Sequence, residues 1–312
     1  MIIRRFLLLL PLGAVLLLGF AVHSASATTA TPPTVEAFYV YATTLTGLEN
    51  VARAEGCNFA TNQPNSLTDI MLLDFGAARL LSGGDLGAID FSNTTFKDSS
   101  ILLALKQAAD GYHDCHVKGG VTIEYGNSNY HMSNVGMSNT DAWNAGYDQE
   151  QTAENLADYQ KANGYSSQGA GAGSDMEPSY DGQLITKQLV NGATTEGWSL
   201  YDDYGSIDGC PTSGSSNGSC NNGWDVSDVG YVSFHGNAVP LPEIYYTVSA
   251  DQWSVVRRWW NNNHNWLYYY DGVTGETPAP SGGVNATTAW KTLNSKNPGW
   301  VNPNLICFGS GC

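Results

Sequence analysis

Positive charge is scarce in this sequence, with 13 Lys and Arg against 29 Asp and Glu and a formal net charge of −16. Such a surface repels a phosphate backbone and leaves no counterions to release, which excludes nucleic acid as a partner. Charge of either sign is also sparse, at 13% of residues. A coiled coil or a solvating polar tail needs far more. No segment recurs with a period of 20–50 residues, which argues against solenoids and propellers. H-E-x-x-H is absent. What is present fits a folded, loop-rich protein with a large core: 312 residues, 42% hydrophobic, 11% aromatic, with 35 glycines.

Only one apolar run is long enough to concern a membrane. Arg4 and Arg5 precede 17 residues from Phe6 to Val22, and Ala25-Ser26-Ala27 supplies a small-x-small cleavage pattern. Residues 1–27 therefore read as a secretory signal. Cleavage leaves a secreted chain of 285 residues with 11 basic and 29 acidic side chains and no stable membrane insertion. A Thr/Pro-rich leader (28–34) would precede a single domain at 35–312. Six cysteines in an exported chain favour disulfides over thiol chemistry. The expected pairs are Cys210 with Cys220 around PTSGSSNGS, Cys307 with Cys312 around FGSG, and Cys57 with Cys115.

Beyond the leader, short apolar runs alternate with longer amphipathic segments. Expected strands are 70–75, 120–125, 170–177, 199–204, 230–234, 243–247 and 266–270, with 37–44 as an eighth. Expected helices are 99–114, 148–163 and 249–261, capped by Asp98 or Ser99, stopped at Gly164, and capped by Ser249 respectively. Strands that lack polar–apolar alternation suit a sheet covered on both faces. The fold expected is α/β, a (β/α)₈ TIM-type barrel, irregular in places, with disulfide-clamped loops.

Polar residues fall near the C-terminal ends of these strands, which in such a barrel converge on one mouth. In GAGAGSDMEPSYDG, Asp175 and Glu177 are two apart, so a period of two points both carboxylates to one face. Two acids close together in a partly dry pocket cannot both ionise freely, which raises one pKa as a general acid requires. Glu177 is the expected acid/base, Asp175 its pKa-setting neighbour, and Glu243 or Asp74 the second carboxylate. Glu243 reaches the mouth if its strand runs through Val239 and Leu241. It lies at the opposite end if it begins the strand. Asn127, Asn129, Asp202 and Asp271 are expected to bind substrate hydroxyls. Tyr201, Tyr204 and Trp224 are expected to give sugar rings a flat apolar face.

The strings IMLLDFGAAR, NSNY, DMEPSY, YDDYGSIDGCP, NNGWDVSDVGYVSF and PLPEIYYT resemble secreted bacterial, mainly actinobacterial, glycoside-hydrolase-like barrel proteins of unassigned activity. The likeness covers most of residues 50–250. A weaker one, through D-x-E, is to muramidase-type barrels, although their early G-[IV]-D-[VI]-S motif is missing here. These resemblances imply a barrel, export, and a carbohydrate as substrate or ligand. The reading is a secreted hydrolase of a polysaccharide or cell-wall glycan. Its alternative is a catalytically inactive barrel that binds glycan through an aromatic rim.

Other motifs fail on context. Gly214-Ser215-Ser216-Asn217-Gly218 lies in a loop between cysteines and is no nucleophile elbow. Gly169, Gly171 and Gly173 lead into an acidic strand end and make no dinucleotide loop. His113 and His116 flank a cysteine expected in a disulfide, so no metal and no cofactor is expected.

Overall fold

A computed structural model of the chain describes residues 30–62, 68–116, 118–276, 278–279 and 281–309. The signal segment 1–27 and Cys312 lie outside the described residues. Ten strands and seven helices alternate: β1 Val35–Tyr39, α1 Leu45–Asn62, β2 Thr68–Leu80, β3 Leu86–Ile89, β4 Thr95–Lys97, α2 Asp98–Cys115, β5 Gly120–Ser128, α3 Asn139–Ala162, β6 Gln168–Asp175, α4 Gln183–Ala193, β7 Tyr201–Asp203, α5 Val226–Phe234, β8 Ala238–Pro240, α6 Thr247–His264, β9 Val273–Glu276, α7 Ala286–Lys296 and β10 Leu305–Phe308. Eight strands pair in a curled parallel sheet ordered β8-β7-β6-β5-β2-β1-β10-β9, while β3 and β4 form an antiparallel extension of β2. Past β8 the chain continues alongside β9: Asp271 N donates to Pro240 O, Thr274 N to Pro242 O and Ile244 N to Thr274 O.

The α/β class is as expected, and the differences have local causes. Residues 230–234 belong to helix α5, because Asp225 and Asp228 form a capping box and Val226, Val229 and Val232 bury one face at a spacing of three. Helix α3 starts at Asn139, nine residues earlier than expected, on a second capping box made by Ser138 and Asp141. Residues 266–270 form no strand, and only Tyr270 bridges to Val301; the strand of that unit is β9. Helix α1 is hidden in the sequence by its glycines, which serve packing. A Cβ on Gly56 would sit 2.1 Å from Ala108 O, and one on Gly111 would sit 2.1 Å from Arg53 O, so α1 and α2 touch backbone to backbone. The Cys57–Cys115 disulfide ties the same two helices, and Cys210–Cys220 closes the loop before α5.

The two larger of three apolar clusters among the described residues fill the space between sheet and helices. One joins β1, β2 and β5 to α1 and α2, and the other joins β7 to β10 with α5, α6 and α7. No helix among the described residues is long and apolar enough to cross a membrane.

Candidate active site

Strand β6 organises the site. Gly169, Gly171, Gly173 and Asp175 share one face by the period of two, and the glycines leave room for larger neighbours. A Cβ on Gly171 would meet Glu124 Cγ at 3.2 Å, and one on Gly173 would meet Asp202 O at 2.6 Å and the Tyr204 ring at 3.3 Å. The small residues of GAGAGSD thus make space for the acids and the tyrosine of β5 and β7.

At the end of this face, Asp175, Glu177 and Glu243 each bring one carboxylate oxygen within 4.8 Å of the others. Glu243 sits where the chain after β8 bridges to Thr274, so the alternative with its strand through Val239 is the one observed. Glu177 is 6% exposed and Glu243 4%. The Glu177 carboxylate accepts from Ser206 Oγ at 2.6 Å and Ser179 Oγ at 2.8 Å. Asp175 Oδ1 is buried without a hydrogen-bond partner. Burial pushes all three carboxyls up, but the two serines work against the rise at Glu177. Asp175 is held well above the usual range by burial and then by the charges of Glu177, Glu243 and Asp74. Glu243 is likewise held well above its range, by burial and then by Glu177. The group therefore shares protons, with Glu177 best placed to ionise. The same three oxygens are the set among the described residues that could hold a cation.

Asp74 stands beside this group. Its Oδ1 accepts from Gly76 N at 2.7 Å in the bulge where β2 shifts register against β5 and passes from parallel pairing with β1 to antiparallel pairing with β3. Burial raises it to about 7. Asp74 and Asp175 line a cavity of about 300 Å³ walled by Gly76, Arg79, Phe91 and Tyr130. Tyr180 borders this cavity and a second, of about 1020 Å³, which also reaches Ser179 and Asp181. Tyr130 packs edge-on against Tyr180 at 5.2 Å.

The remaining expected residues are dispersed. Asn129 is fully buried and brackets Glu177: its Oδ1 accepts from Glu177 N at 3.1 Å and its Nδ2 donates to Glu177 O at 3.2 Å. Asn127 and Tyr201 lie on the other face of the sheet. Ser174 Oγ donates to Asn127 Oδ1 and pairs with Tyr201 OH at 2.6 Å, and that hydroxyl donates to Gln149 of α3. Trp224 is 1% exposed and gives its indole N–H to Asp181 O at 2.8 Å, so it offers no open shelf. Tyr204 is buried, donating to Asn127 O at 2.7 Å. Asp202 and Asp271 fall in a second acidic group with Glu124. There burial raises Glu124 to about 8 and Asp271 to about 6, and Glu124 hydrogen-bonds Asp202. Asp271 accepts from Asn302 Nδ2 at 2.7 Å. His113 stacks on Tyr165, and His116 Nε2 lies 2.8 Å from Gly119 O.

Sequence reasoning missed Tyr39, Tyr180 and Tyr245, whose hydroxyls feel the charges of the rim carboxylates. It also missed Arg79, Ser179 and Ser206. The signal for Tyr180 and Ser206 was available in DMEPSY and YDDYGS, both of which follow strand ends. No protein-family model and no curated protein matches this chain, so the site is read from its own geometry.

Proposed function

We propose that this chain is a secreted glycoside hydrolase, built as a closed (β/α)₈ barrel with its site at the C-terminal mouth. One observation carries the reading: three carboxylates at strand ends, two buried and one half-buried, with oxygens within 4.8 Å, beside cavities bordered by Phe91, Tyr130 and Tyr180. A retaining glycosidase needs two carboxyls ~5–5.5 Å apart and an inverting one ~6.5–9.5 Å, so this spacing favours retention. Closure is supported by the backbone bonds from residues 240–244 to β9. Export is supported by the Arg-led apolar start of the sequence and by two disulfides.

The environments divide the roles differently from the sequence reading, which made Glu177 the acid/base, Asp175 its neighbour and Glu243 or Asp74 the second carboxylate. Glu177, stabilised as an anion by two hydroxyls, attacks the anomeric carbon while Asp175, which keeps its proton, gives it to the departing glycosidic oxygen. The C–O bond breaks and a glycosyl–Glu177 ester forms. Asp175, now ionised, takes a proton from water, whose oxygen attacks the anomeric carbon and releases Glu177. The negative charge of Glu177, after burial the largest influence on Asp175, keeps Asp175 protonated in the resting site.

The test is to screen the mature chain on defined plant, fungal and bacterial-wall glycans beside Glu177→Gln and Asp175→Asn. Turnover lost in Glu177→Gln, with azide yielding a glycosyl azide of inverted configuration, supports the assignment. Glycan binding without turnover by the wild-type chain would replace it with the inactive-barrel reading.

A further inference from the structure

The smaller rim cavity holds a cation that the hydrolytic chemistry does not use. Arg79 sits on the part of β2 that pairs with β3, beyond the bulge at Asp74, and it is the only Lys or Arg among the described residues lining either rim cavity. Its Nη1 donates to Ala78 O and Tyr130 O, both at 2.8 Å. No hydrogen bond of its Nη2 or Nε is found among the described residues, and none of the described ion pairs includes it.

The neighbouring acids form no ion pair with this guanidinium among the described residues, although the charge of Asp181 is near enough to favour it against burial. Asp90, on the same cavity wall, spends its carboxylate on Ala42 N, Ser92 N and Thr94 N at 2.8–2.9 Å. Asp181 is occupied by Ser133 and Gly182 N. Asp74 accepts from Gly76 N and, with Asp175, is biased by burial towards the neutral form. Partial burial also disfavours the guanidinium's charge, so its pKa falls. A half-buried guanidinium with unused donors, in a chain of net charge −16, is a site for an anion brought by a ligand. A guanidinium fork matches the two oxygens of a carboxylate better than it matches isolated hydroxyls.

We infer that this cavity takes an acidic sugar, with the carboxylate of a uronate-type residue on the free edge of Arg79 and the ring between Phe91 and Tyr130. At about 300 Å³ the cavity is at the small end of ligand pockets, which suits one ring better than an extended chain. The inference rests on the glycan reading for its ligand class. It deepens that reading by naming Arg79 as a specificity-determining residue.

Calorimetric binding of uronate trisaccharides, α- and β-linked, would be compared with binding of the same trisaccharides after reduction of each carboxyl to an alcohol. Wild type, Arg79→Lys and Arg79→Met are measured, each checked by its melting curve. The expected result is at least tenfold tighter binding of the acidic form by wild type, weakening as salt rises. Arg79→Met should lose that preference and Arg79→Lys keep part of it. Equal affinity for both forms in wild type, or no binding of either, overturns the inference. So does an equal loss for both forms in Arg79→Met, which would make Arg79 only a brace for the Tyr130 loop. Should Arg79→Met fail to fold, the Lys variant and the wild-type preference still decide. Arg79-dependent uronate binding with no glycan hydrolysed would defeat the hydrolase reading alone. Hydrolysis of neutral glycans insensitive to Arg79 would defeat this inference alone.

Discussion

Two groups of buried acids occupy the same sheet and differ in access. Asp175, Glu177 and Glu243 stand at or beyond strand ends, with serine donors and a cavity beside them. Glu124 lies four residues before the end of β5, and its partners are Asp202, at the centre of the three-residue β7, and Asp271. Asp175 lines the smaller rim cavity, and Ser179, a hydroxyl partner of Glu177, lines the larger, whereas none of these three inner acids lines either. Burial raises the carboxyls in both places, so a perturbed acid does not by itself mark chemistry. What separates the groups is whether a reacting atom has room to arrive.

Substitution should divide them most sharply in turnover. Glu177→Gln is expected to lower kcat by ~10²–10⁴-fold, the usual range for a positioned acid, base or nucleophile, whereas Glu124→Gln should leave kcat within a few-fold of wild type. Steady-state kinetics on a glycan found by the screen checks both. A large loss in Glu124→Gln would erase the distinction.

A smaller effect is expected at Asn129, which touches no reacting atom but fixes the backbone of Glu177 from both sides. Asn129→Ala leaves buried backbone groups unpaired, at ~1–3 kcal/mol of stability. Misplacing the carboxylate should reduce kcat about tenfold with KM nearly unchanged, since loss of orientation is felt in the transition state. A change confined to KM would assign Asn129 to substrate contact, as the sequence suggested.

How much of this the sequence disclosed depended on how local the cause was. The D-x-E at 175 and 177 follows from a period of two along one strand, and the helix stop at Gly164 from a left-handed residue (φ 74°). Glu243 was legible as a candidate but its end of the sheet was not, because pairing with Thr274 depends on a residue 31 positions away. Asn127 and Tyr201 were misread as rim residues. Their proximity to strand ends was right, but parity turns them towards α3 and Gln149. Arg79 was invisible, since nothing in IMLLDFGAAR announces that the strand bulges at Asp74 and continues into a hairpin.

The inner group should reveal itself in stability. Glu124 has its folded pKa raised to about 8, and Asp74 and Asp203 are raised to about 7. An acid whose folded pKa is raised binds its proton more tightly when folded. Its contribution is fully present below the unfolded value near pH 4 and is lost as pH climbs through the folded value. Resistance to urea should therefore be greatest in weak acid and decline towards pH 8, each retained proton contributing a slope of on the order of 1.4 kcal/mol per pH unit. Glu124→Gln should flatten that decline, becoming the more stable form relative to wild type as pH rises. Parallel wild-type and variant curves would show that Glu124 ionises freely.

The finest separation lies inside the rim group, between the acid that keeps its proton and the one that loses it. Ser206 Oγ donates to Glu177 Oε1 at 2.6 Å and so stabilises the ionised form. Its removal must raise the pKa of Glu177. In a retaining mechanism the acidic limb of the kcat/KM profile reports ionisation of the nucleophile, and the alkaline limb reports loss of the acid's proton. Ser206→Ala should therefore move the acidic limb up by about one to two pH units, since a hydrogen bond to a charged group contributes ~1.5–3 kcal/mol and 1.36 kcal/mol corresponds to one unit. The alkaline limb, set by the proton of Asp175, should stay nearly in place. If the alkaline limb moves instead, Glu177 carries the proton and Glu243 or Asp74 is the nucleophile, which returns the roles to those expected from the sequence.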